Sequence, residues 1–251
     1  MSSDASGKVY LVGAGPGDPG LITVRGKELL EQAEVVIYDS LVNEAILQWA
    51  PQAELFYAGK RAANHALIQD DINHLLVAQA QLGRKVVRLK GGDPCVFGRV
   101  GEEMTALNAA DIPYEIVPGV TAGIAGSAYA GIPVTHRHMS STVTFITGRE
   151  AMDSRSQGTL VTEGTLVIYM GMKTMDEMVE KLLAAGRSSD SPVAVVQWAT
   201  YEYQRTVSGT LAKIATICAQ EHIASPSIII VGDVARLRDE FAWFEGDSTP
   251  S

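Results

Sequence analysis

The sequence has few of the features that mark secreted, metal-binding or nucleic-acid-binding proteins. Its 251 residues include two cysteines, Cys95 and Cys218, which lie far apart and offer neither a disulfide framework nor metal-ligand spacing. Lys and Arg total 20 against 29 Asp and Glu, and the net charge of −9 argues against nucleic acid or an anionic membrane as the main partner. We expect two reduced thiols in a cytoplasmic protein, and no metal site.

Targeting and membrane-spanning segments are also not expected. Residues 1–7 form a short polar lead without the apolar region of a signal peptide. The uncharged stretch 116–134 is long enough to cross a membrane, but it carries Pro118 and Pro133 and is rich in Gly and Ala. We interpret this stretch as a packed helix with its flanking loops.

Short β-rich runs alternate with helical stretches along the chain, which is typical of α/β proteins. Most strands of the first half are apolar throughout, which indicates a largely parallel sheet covered on both faces. We predict two α/β domains, residues 8–138 and 139–245, with a loop at 148–164 and a frayed tail from 246. The predicted strands are 9–12, 35–38, 55–57, 85–89, 114–117, 142–147, 165–170, 193–197, 204–207 and 227–232. The predicted helices are 23–33, 45–49, 68–82, 101–110, 175–185 and 211–219.

A glycine-rich turn, Gly-Ala-Gly-Pro-Gly-Asp-Pro-Gly at 13–20, directly follows the first predicted strand. Such a turn lets backbone N–H groups approach a ligand closely. A dinucleotide fingerprint would need glycine at Asp18, and Pro16 removes a backbone donor, so a nicotinamide or flavin site is not favoured. A binding loop and a merely structural turn both stay open for this segment.

Two further loops follow predicted strands, Gly-Gly-Asp-Pro at 91–94 and Pro-Gly-Val-Thr-Ala-Gly at 118–123. Ligands of open α/β sheets lie at the carboxyl ends of the strands, so these loops and the first turn can share one site. Asp93 is suited to ribose hydroxyls or a cation, and Thr121 can cap the next helix or donate to a ligand. A plain turn and a packing helix are the alternatives.

Asp39 ends the predicted strand 35–38 at the same edge, where it is either a proton acceptor or a cap of the next segment.

Basic residues form local islands within this acidic chain, and these islands indicate a polyanionic ligand of modest size. The alternative is ion pairing within the chain, in which Glu102 and Glu103 would neutralise Arg99. The islands are Lys60 with Arg61 and His65, then Arg99, then His136, Arg137, His138 and Arg149.

Taken together, these segments resemble the uroporphyrinogen-III C-methyltransferases, and the resemblance covers about residues 8–244. The motifs that carry it are Val-Gly-Ala-Gly-Pro-Gly-Asp-Pro-Gly-Leu at 12–21, Val-Ile-Tyr-Asp at 36–39, Gly-Lys-Arg at 59–61, Val-Arg-Leu-Lys-Gly-Gly-Asp-Pro at 87–94, Val-Phe-Gly-Arg at 96–99, Val-Pro-Gly-Val-Thr-Ala at 117–122, Gly-Ile-Pro-Val-Thr-His-Arg at 131–137 and Tyr-Met-Gly at 169–171. Cys95 and Val100 depart from the family pattern, which usually has an aromatic residue and a glycine there.

The resemblance implies a tetrapyrrole methylase-like fold of two α/β domains, usually a homodimer, with S-adenosylmethionine held in the cleft between them. The implied reaction methylates uroporphyrinogen III at C-2 and C-7 to give precorrin-2, for siroheme, cobalamin or heme d1 synthesis. We expect methylation only, because the dehydrogenase–ferrochelatase module of fused relatives is missing from this sequence. The alternatives are a sister methylase, for a later corrin intermediate or a diphthamide precursor, and a binding-only protein.

The resemblance also implies site residues. Asp39 and Lys60 match the proton acceptor and the proton donor, and Arg99 and Glu102 complete the candidate catalytic set. Lys60, Arg99, His136, Arg137 and Arg149 are expected to bind substrate carboxylates. The positions that match cofactor contacts are Pro16, Gly91, Gly92, Asp93, Val96, Thr121, Ala122, Met170, Ala199 and Ser227.

Overall fold

A computed structural model describes residues 7–59, 69–148, 163–244 and 246. Its contacts divide the chain into two compact units, Met1–Thr121 and Ala122–Ser251. This division falls earlier than the expected boundary near residue 138. The reason is that the residues after Thr121 pack with the second sheet, since Ala130 and Ile132 share an apolar cluster with Ala194 and Ile230.

The first unit is a five-stranded parallel sheet of order β3-β2-β4-β1-β5. Both faces are covered, since Val36 and Tyr38 of β2 lie in one apolar cluster while Val35 and Ile37 lie in another. The expected parallel sheet is therefore present. Its strands are β1 (Lys8–Gly13), β2 (Val35–Tyr38), β3 (Glu54–Tyr57), β4 (Lys85–Lys90) and β5 (Tyr114–Val117), and its described helices are α1 (Val24–Glu31), α2 (Gln69–Gln81) and α3 (Val100–Ala109), with 3₁₀ turns at Pro19–Leu21 and Glu44–Trp49.

The second unit contains a mixed five-stranded sheet of order β6-β7-β10-β8-β9. Only the β6–β7 pair is parallel, and β10 and β8 pair with their neighbours in antiparallel fashion. Its described elements are α4 (Ala122–Tyr129), β6 (Val143–Thr147), β7 (Thr165–Tyr169), α5 (Met175–Ala184), β8 (Pro192–Gln197), β9 (Arg205–Thr210), α6 (Ile214–Gln220), β10 (Ser227–Val231) and α7 (Arg238–Phe241), with 3₁₀ turns at Met172–Thr174 and Asp233–Leu237.

Most element ends differ from the sequence predictions by one to three residues, and two of the differences change the type or extent of an element. The stretch expected as a helix at 45–49 is a 3₁₀ helix, Glu44–Trp49. Strand β9 does not end at Val207, because Gly209 and Thr210 still pair with Val193 and Pro192 of β8. The loop expected at 148–164 lies mostly outside the described residues. Within the described part, no helix is long and apolar enough to cross a membrane.

Candidate functional site

The carboxyl ends of β1, β4 and β5 meet through glycines. A Cβ on Gly13 would lie 2.6 Å from the Cα of Gly119 and 2.7 Å from the carbonyl oxygen of Gly92, so the three backbones pack without side chains between them. Gly15 donates its N–H to the carbonyl of Gly92 at 3.2 Å, and Gly92 donates its own to the carbonyl of Gly15 at 2.7 Å. Two of the loops singled out in the sequence are thus joined, and glycine is required at their crossing.

Asp93 joins the third loop to the other two. Its Oδ2 accepts the backbone N–H of Gly119 at 2.9 Å, and its Oδ1 accepts that of Cys95 at 2.7 Å. Val96 donates its N–H to the carbonyl of Asp93 at 3.2 Å, which closes the turn after β4. The carboxylate therefore organises the loops, whatever further contact it makes with a ligand.

The loop after β2 lies against the same edge of the sheet. A Cβ on Gly91 would lie 2.7 Å from the Cβ of Leu41, so the residues after β2 and β4 are in close contact. Asp39 directly follows β2 with its side chain 28% exposed, and its Oδ1 accepts the N–H of Leu41 at 3.1 Å. The expected alternative of a local cap is thus present, while the second oxygen, Oδ2, faces Arg88 at 3.4 Å.

A buried charge cluster, Arg88, Lys90 and Glu103, lies beside Asp39. Arg88 donates its Nε–H to Oε1 of Glu103 at 3.0 Å, and Lys90 donates from Nζ to the same oxygen at 2.8 Å. The Glu103 side chain is 0% exposed and the two cationic side chains are each 5% exposed. Burial, and then the neighbouring Arg88, lower the pKa of Lys90.

Sequence reasoning gave Arg88 and Lys90 no role, and it considered Glu103 only as an ion-pair partner of Arg99. One signal was available, because the apolar strand 85–90 places two basic side chains two positions apart, on one face of the sheet. A charged pair on a strand that is otherwise buried requires a counter-charge inside the protein, and Glu103 on α3 supplies it.

Arg99 and Glu102 form an exposed ion pair at the start of α3. Arg99 donates from Nε and Nη2 to the two carboxylate oxygens at 2.8 and 2.7 Å, and the side chains are 57% and 49% exposed. The hydrogen bond to Arg99 lowers the pKa of Glu102, and the same bond raises the pKa of Arg99. Of the two acidic neighbours proposed to neutralise Arg99, Glu102 does so and Glu103 pairs elsewhere.

The remaining cofactor candidates of the first unit are Pro16 and Thr121. Pro16 lies partly buried just after the Gly15 contact, and Thr121 is 9% exposed at the end of the unit. Ala122 begins α4 in the second unit.

The second unit brings three candidates to one edge of its sheet. Met170 directly follows β7, and its side chain is 62% exposed on a left-handed residue with φ 55°. Ser227 begins β10 opposite Gln197 of β8, and Ala199, 8% exposed, follows that strand. Antiparallel pairing of β10 with β7 and β8 therefore clusters these positions.

The substrate candidates are placed in part. His136 and Arg137 lie in a tight turn, in which His136 donates its N–H to the carbonyl of Ser140 at 2.8 Å, and Arg137 is exposed. Lys60 and Arg149 lie outside the described residues. Within the described residues, no group of acidic, His and Cys side chains could hold a metal ion.

Comparison with known proteins identifies a common family. Residues 8–215 match the model of the tetrapyrrole (corrin/porphyrin) methylases. The uroporphyrinogen-III C-methyltransferase of Bacillus subtilis is 46% identical over 246 residues, which cover 96% of both chains. A solved structure of the uroporphyrin-III C-methyltransferase of Thermus thermophilus with S-adenosylhomocysteine is 36% identical and superposes with a TM-score of 0.79, covering 92% of this chain and 94% of that one.

Other relatives are longer proteins. The siroheme synthase of Chromobacterium violaceum is 48% identical over 96% of this chain, but the match covers 52% of that protein. The chain thus spans about half the length of the siroheme synthases that it matches.

Proposed function

This chain belongs to the tetrapyrrole (corrin/porphyrin) methylase family, and we propose on that premise that it methylates uroporphyrinogen III with S-adenosylmethionine. Two methyl groups are transferred, to C-2 and C-7, and precorrin-2 is the product. The observation that carries the proposal is the meeting of the loops after β1, β4 and β5 around Gly13, Gly92 and Gly119. This is the edge of a parallel sheet at which ligands bind.

We assign S-adenosylmethionine to these loops, whose backbones lie at the carboxyl ends of parallel strands. A Cβ on Gly91 would collide with Leu41, and a Cβ on Gly119 would collide with the carbonyl of Gly92, so the loops pack closely and Asp93 holds them together. The other cofactor contacts proposed near these loops are Pro16, Val96, Thr121 and Ala122. The contacts proposed from the second unit are Met170, Ala199 and Ser227. When bound, the cofactor supplies a methyl group on a sulfonium, which is already an activated leaving group.

The residues of the chain therefore have two tasks, to position the reactants and to move one proton. Methylation of a fully substituted pyrrole carbon leaves a cationic intermediate, which becomes neutral by losing a proton from a neighbouring position, and Asp39 accepts that proton directly or through water. Its carboxylate is partly exposed at the strand end, and Leu41 and Arg88 fix its two oxygens. Lys60 is proposed as the proton donor from the family resemblance.

Uroporphyrinogen III carries eight carboxylates, which gives the basic residues of an acidic chain a function. Arg99 is exposed and presents a planar guanidinium suited to bidentate carboxylate binding. In the structure Glu102 occupies that guanidinium, so a substrate carboxylate replaces Glu102 when it binds. The remaining acetate and propionate groups bind to His136, Arg137, Arg149 and Lys60.

A homodimer and a cytoplasmic location belong to the same proposal. The two cysteines are both free thiols, which is consistent with a reducing compartment. Sedimentation of the purified protein measures the oligomeric state directly.

The deciding experiment is an anaerobic incubation of the purified protein with uroporphyrinogen III and S-adenosylmethionine, followed by mass spectrometry of the tetrapyrrole. We expect a product with two added methyl groups. If no methyl is added although calorimetry shows S-adenosylmethionine binding, the cofactor assignment stands and the substrate is wrong. A later corrin intermediate, offered in the same assay, then tests the sister specificity.

A further inference from the structure

Glu103 is a fully buried carboxylate whose hydrogen bonds go to Arg88 and Lys90, and not to Asp39 or to the loops after β1, β4 and β5. Its Oε1 accepts from both Arg88 and Lys90, and its Oε2 has no hydrogen-bond partner among the described residues. Burial of a carboxylate with two cations carries a large desolvation cost, and apolar side chains of similar volume often give equal stability. Stability alone is therefore a weak reason for this cluster.

The charges of the cluster are balanced only when Asp39 is included. Arg88 and Lys90 carry two positive charges against one negative charge on Glu103. The carboxylate of Asp39, whose Oδ2 lies 3.4 Å from Nη2 of Arg88, supplies the second negative charge. The cluster and the candidate base thus form one electrostatic unit at the carboxyl ends of β2 and β4.

Glu103 fixes the orientation of the Arg88 guanidinium, and Arg88 in turn contacts Asp39. Its guanidinium is planar and rigid, so anchoring some of its N–H groups determines the direction of the others. The Nε–H group is held by Glu103 at 3.0 Å, and Nη1 donates to the carbonyls of Ile37 and Leu89 at 3.3 and 3.1 Å. Nη2 is then directed at Asp39.

We propose that Glu103 is a positioning residue of the methylation site, which acts through Arg88 to hold the carboxylate of Asp39 in place. The inference rests on the proposed function, in which Asp39 accepts the proton. It adds a buried residue of α3 to the candidate site.

The test removes the anchor while keeping the charge balanced. Glu103→Met alone would leave two buried cations and can prevent folding, so the main variant is Lys90→Met with Glu103→Met, which removes one charge of each sign. We expect its kcat for methylation to fall at least about tenfold, because proton acceptance contributes on that scale or more. The KM for uroporphyrinogen III and the Kd for S-adenosylmethionine should change less than about twofold, a split that general destabilisation does not produce.

A matched control exists in the same unit. Glu115 also lies between a lysine and an arginine, accepting from Lys8 Nζ at 2.9 Å and from Arg25 Nε at 3.0 Å. Lys8 begins β1, so this triad lies away from the carboxyl ends of the strands. Glu115→Gln should leave both kcat and KM unchanged.

The outcomes separate this inference from the proposed function. A double variant with the kcat of the parent, or a Glu115→Gln variant that loses as much kcat, would overturn the inference. If the parent protein itself adds no methyl group, the proposed function fails, and a crystal structure of the double variant still decides about Glu103. Arg88 should then have moved away from Asp39, and an unchanged contact between them contradicts positioning by Glu103.

Discussion

A Cβ on Gly13 would lie only 2.6 Å from the Cα of Gly119, which is closer than such atoms approach in folded proteins. This contact brings the end of β1 against the loop after β5, and it predicts that Gly13→Ala separates the two. We expect the variant to lose about 1–3 kcal/mol of unfolding free energy through overpacking. Its affinity for S-adenosylmethionine, measured by calorimetry, should fall with it.

Gly101→Ala is the matched control for this substitution. A Cβ on Gly101 meets nothing within 4 Å, and the residue lies in helix α3. Alanine is favoured over glycine in helices, so this variant should gain up to about 1 kcal/mol and bind S-adenosylmethionine normally. Equal effects of the two substitutions would contradict the close approach at Gly13.

Asp93 provides the second prediction, because two backbone N–H groups depend on its carboxylate. Asp93→Ala leaves the N–H groups of Gly119 and Cys95 without their acceptor, which should cost about 1–3 kcal/mol and weaken S-adenosylmethionine binding. Asp93→Asn keeps one acceptor oxygen but turns an N–H₂ group toward the other donor, so its affinity should be intermediate. Wild-type affinity in Asp93→Ala would show that the loops are held by other contacts.

The third prediction concerns Asp39 as proton acceptor. Asp39→Asn is nearly isosteric and cannot accept the proton, so turnover should fall about 100-fold or more. The affinities for uroporphyrinogen III and S-adenosylmethionine should be preserved, because neither depends on the proton transfer. Stopped-flow or quenched turnover measurements with separate binding titrations distinguish the two effects, and unchanged turnover removes Asp39 from the mechanism.

Most of the first sheet could be predicted from the sequence. Apolar runs such as 35–38, bounded by helical stretches, indicate buried parallel strands whatever their neighbours are. The second sheet was less predictable in its pairing. Strands 192–197 and 227–231 are as apolar as those of the first sheet, and a buried strand has the same composition in parallel and antiparallel pairs.

The glycine loops could be found as candidates, because glycine and proline mark turns that follow strands. The two basic residues of the apolar strand 85–90 pointed to a buried charge cluster, but their acidic partner could not be identified, because a charged residue is expected at the surface unless its partner is known. Glu102 and Glu103 are neighbours in sequence, yet one pairs with exposed Arg99 and the other with buried Arg88. Adjacent residues of a helix point about 100° apart, and only the packing of α3 decides which of them is buried.

The fourth prediction tests Arg99 as a substrate ligand. Arg99→Ala removes an exposed guanidinium without disturbing the glycine loops, so the KM for uroporphyrinogen III should rise about tenfold or more while the Kd for S-adenosylmethionine stays the same. Glu102→Gln frees the guanidinium from its internal partner and should lower that KM. Equal loss of both affinities in Arg99→Ala would contradict the assignment, and a lower kcat in Glu102→Gln would indicate a catalytic role for Glu102.

The fifth prediction is a pH dependence of stability that comes from Cys218. Burial raises the pKa of this thiol from 9.0 to about 11 in the folded protein. Between these values the unfolded chain has lost the proton that the folded protein still binds, so stability falls as pH rises. The raised pKa corresponds to about 2–3 kcal/mol of unfolding free energy, which is lost between pH 9 and pH 11. Cys218→Ala lacks this contribution, and other titrating groups are common to both proteins. Urea unfolding from pH 8 to pH 11 should therefore show that the stability advantage of the parent over Cys218→Ala shrinks as pH rises. A constant difference would mean that the thiol ionises as easily in the folded protein as in the unfolded chain.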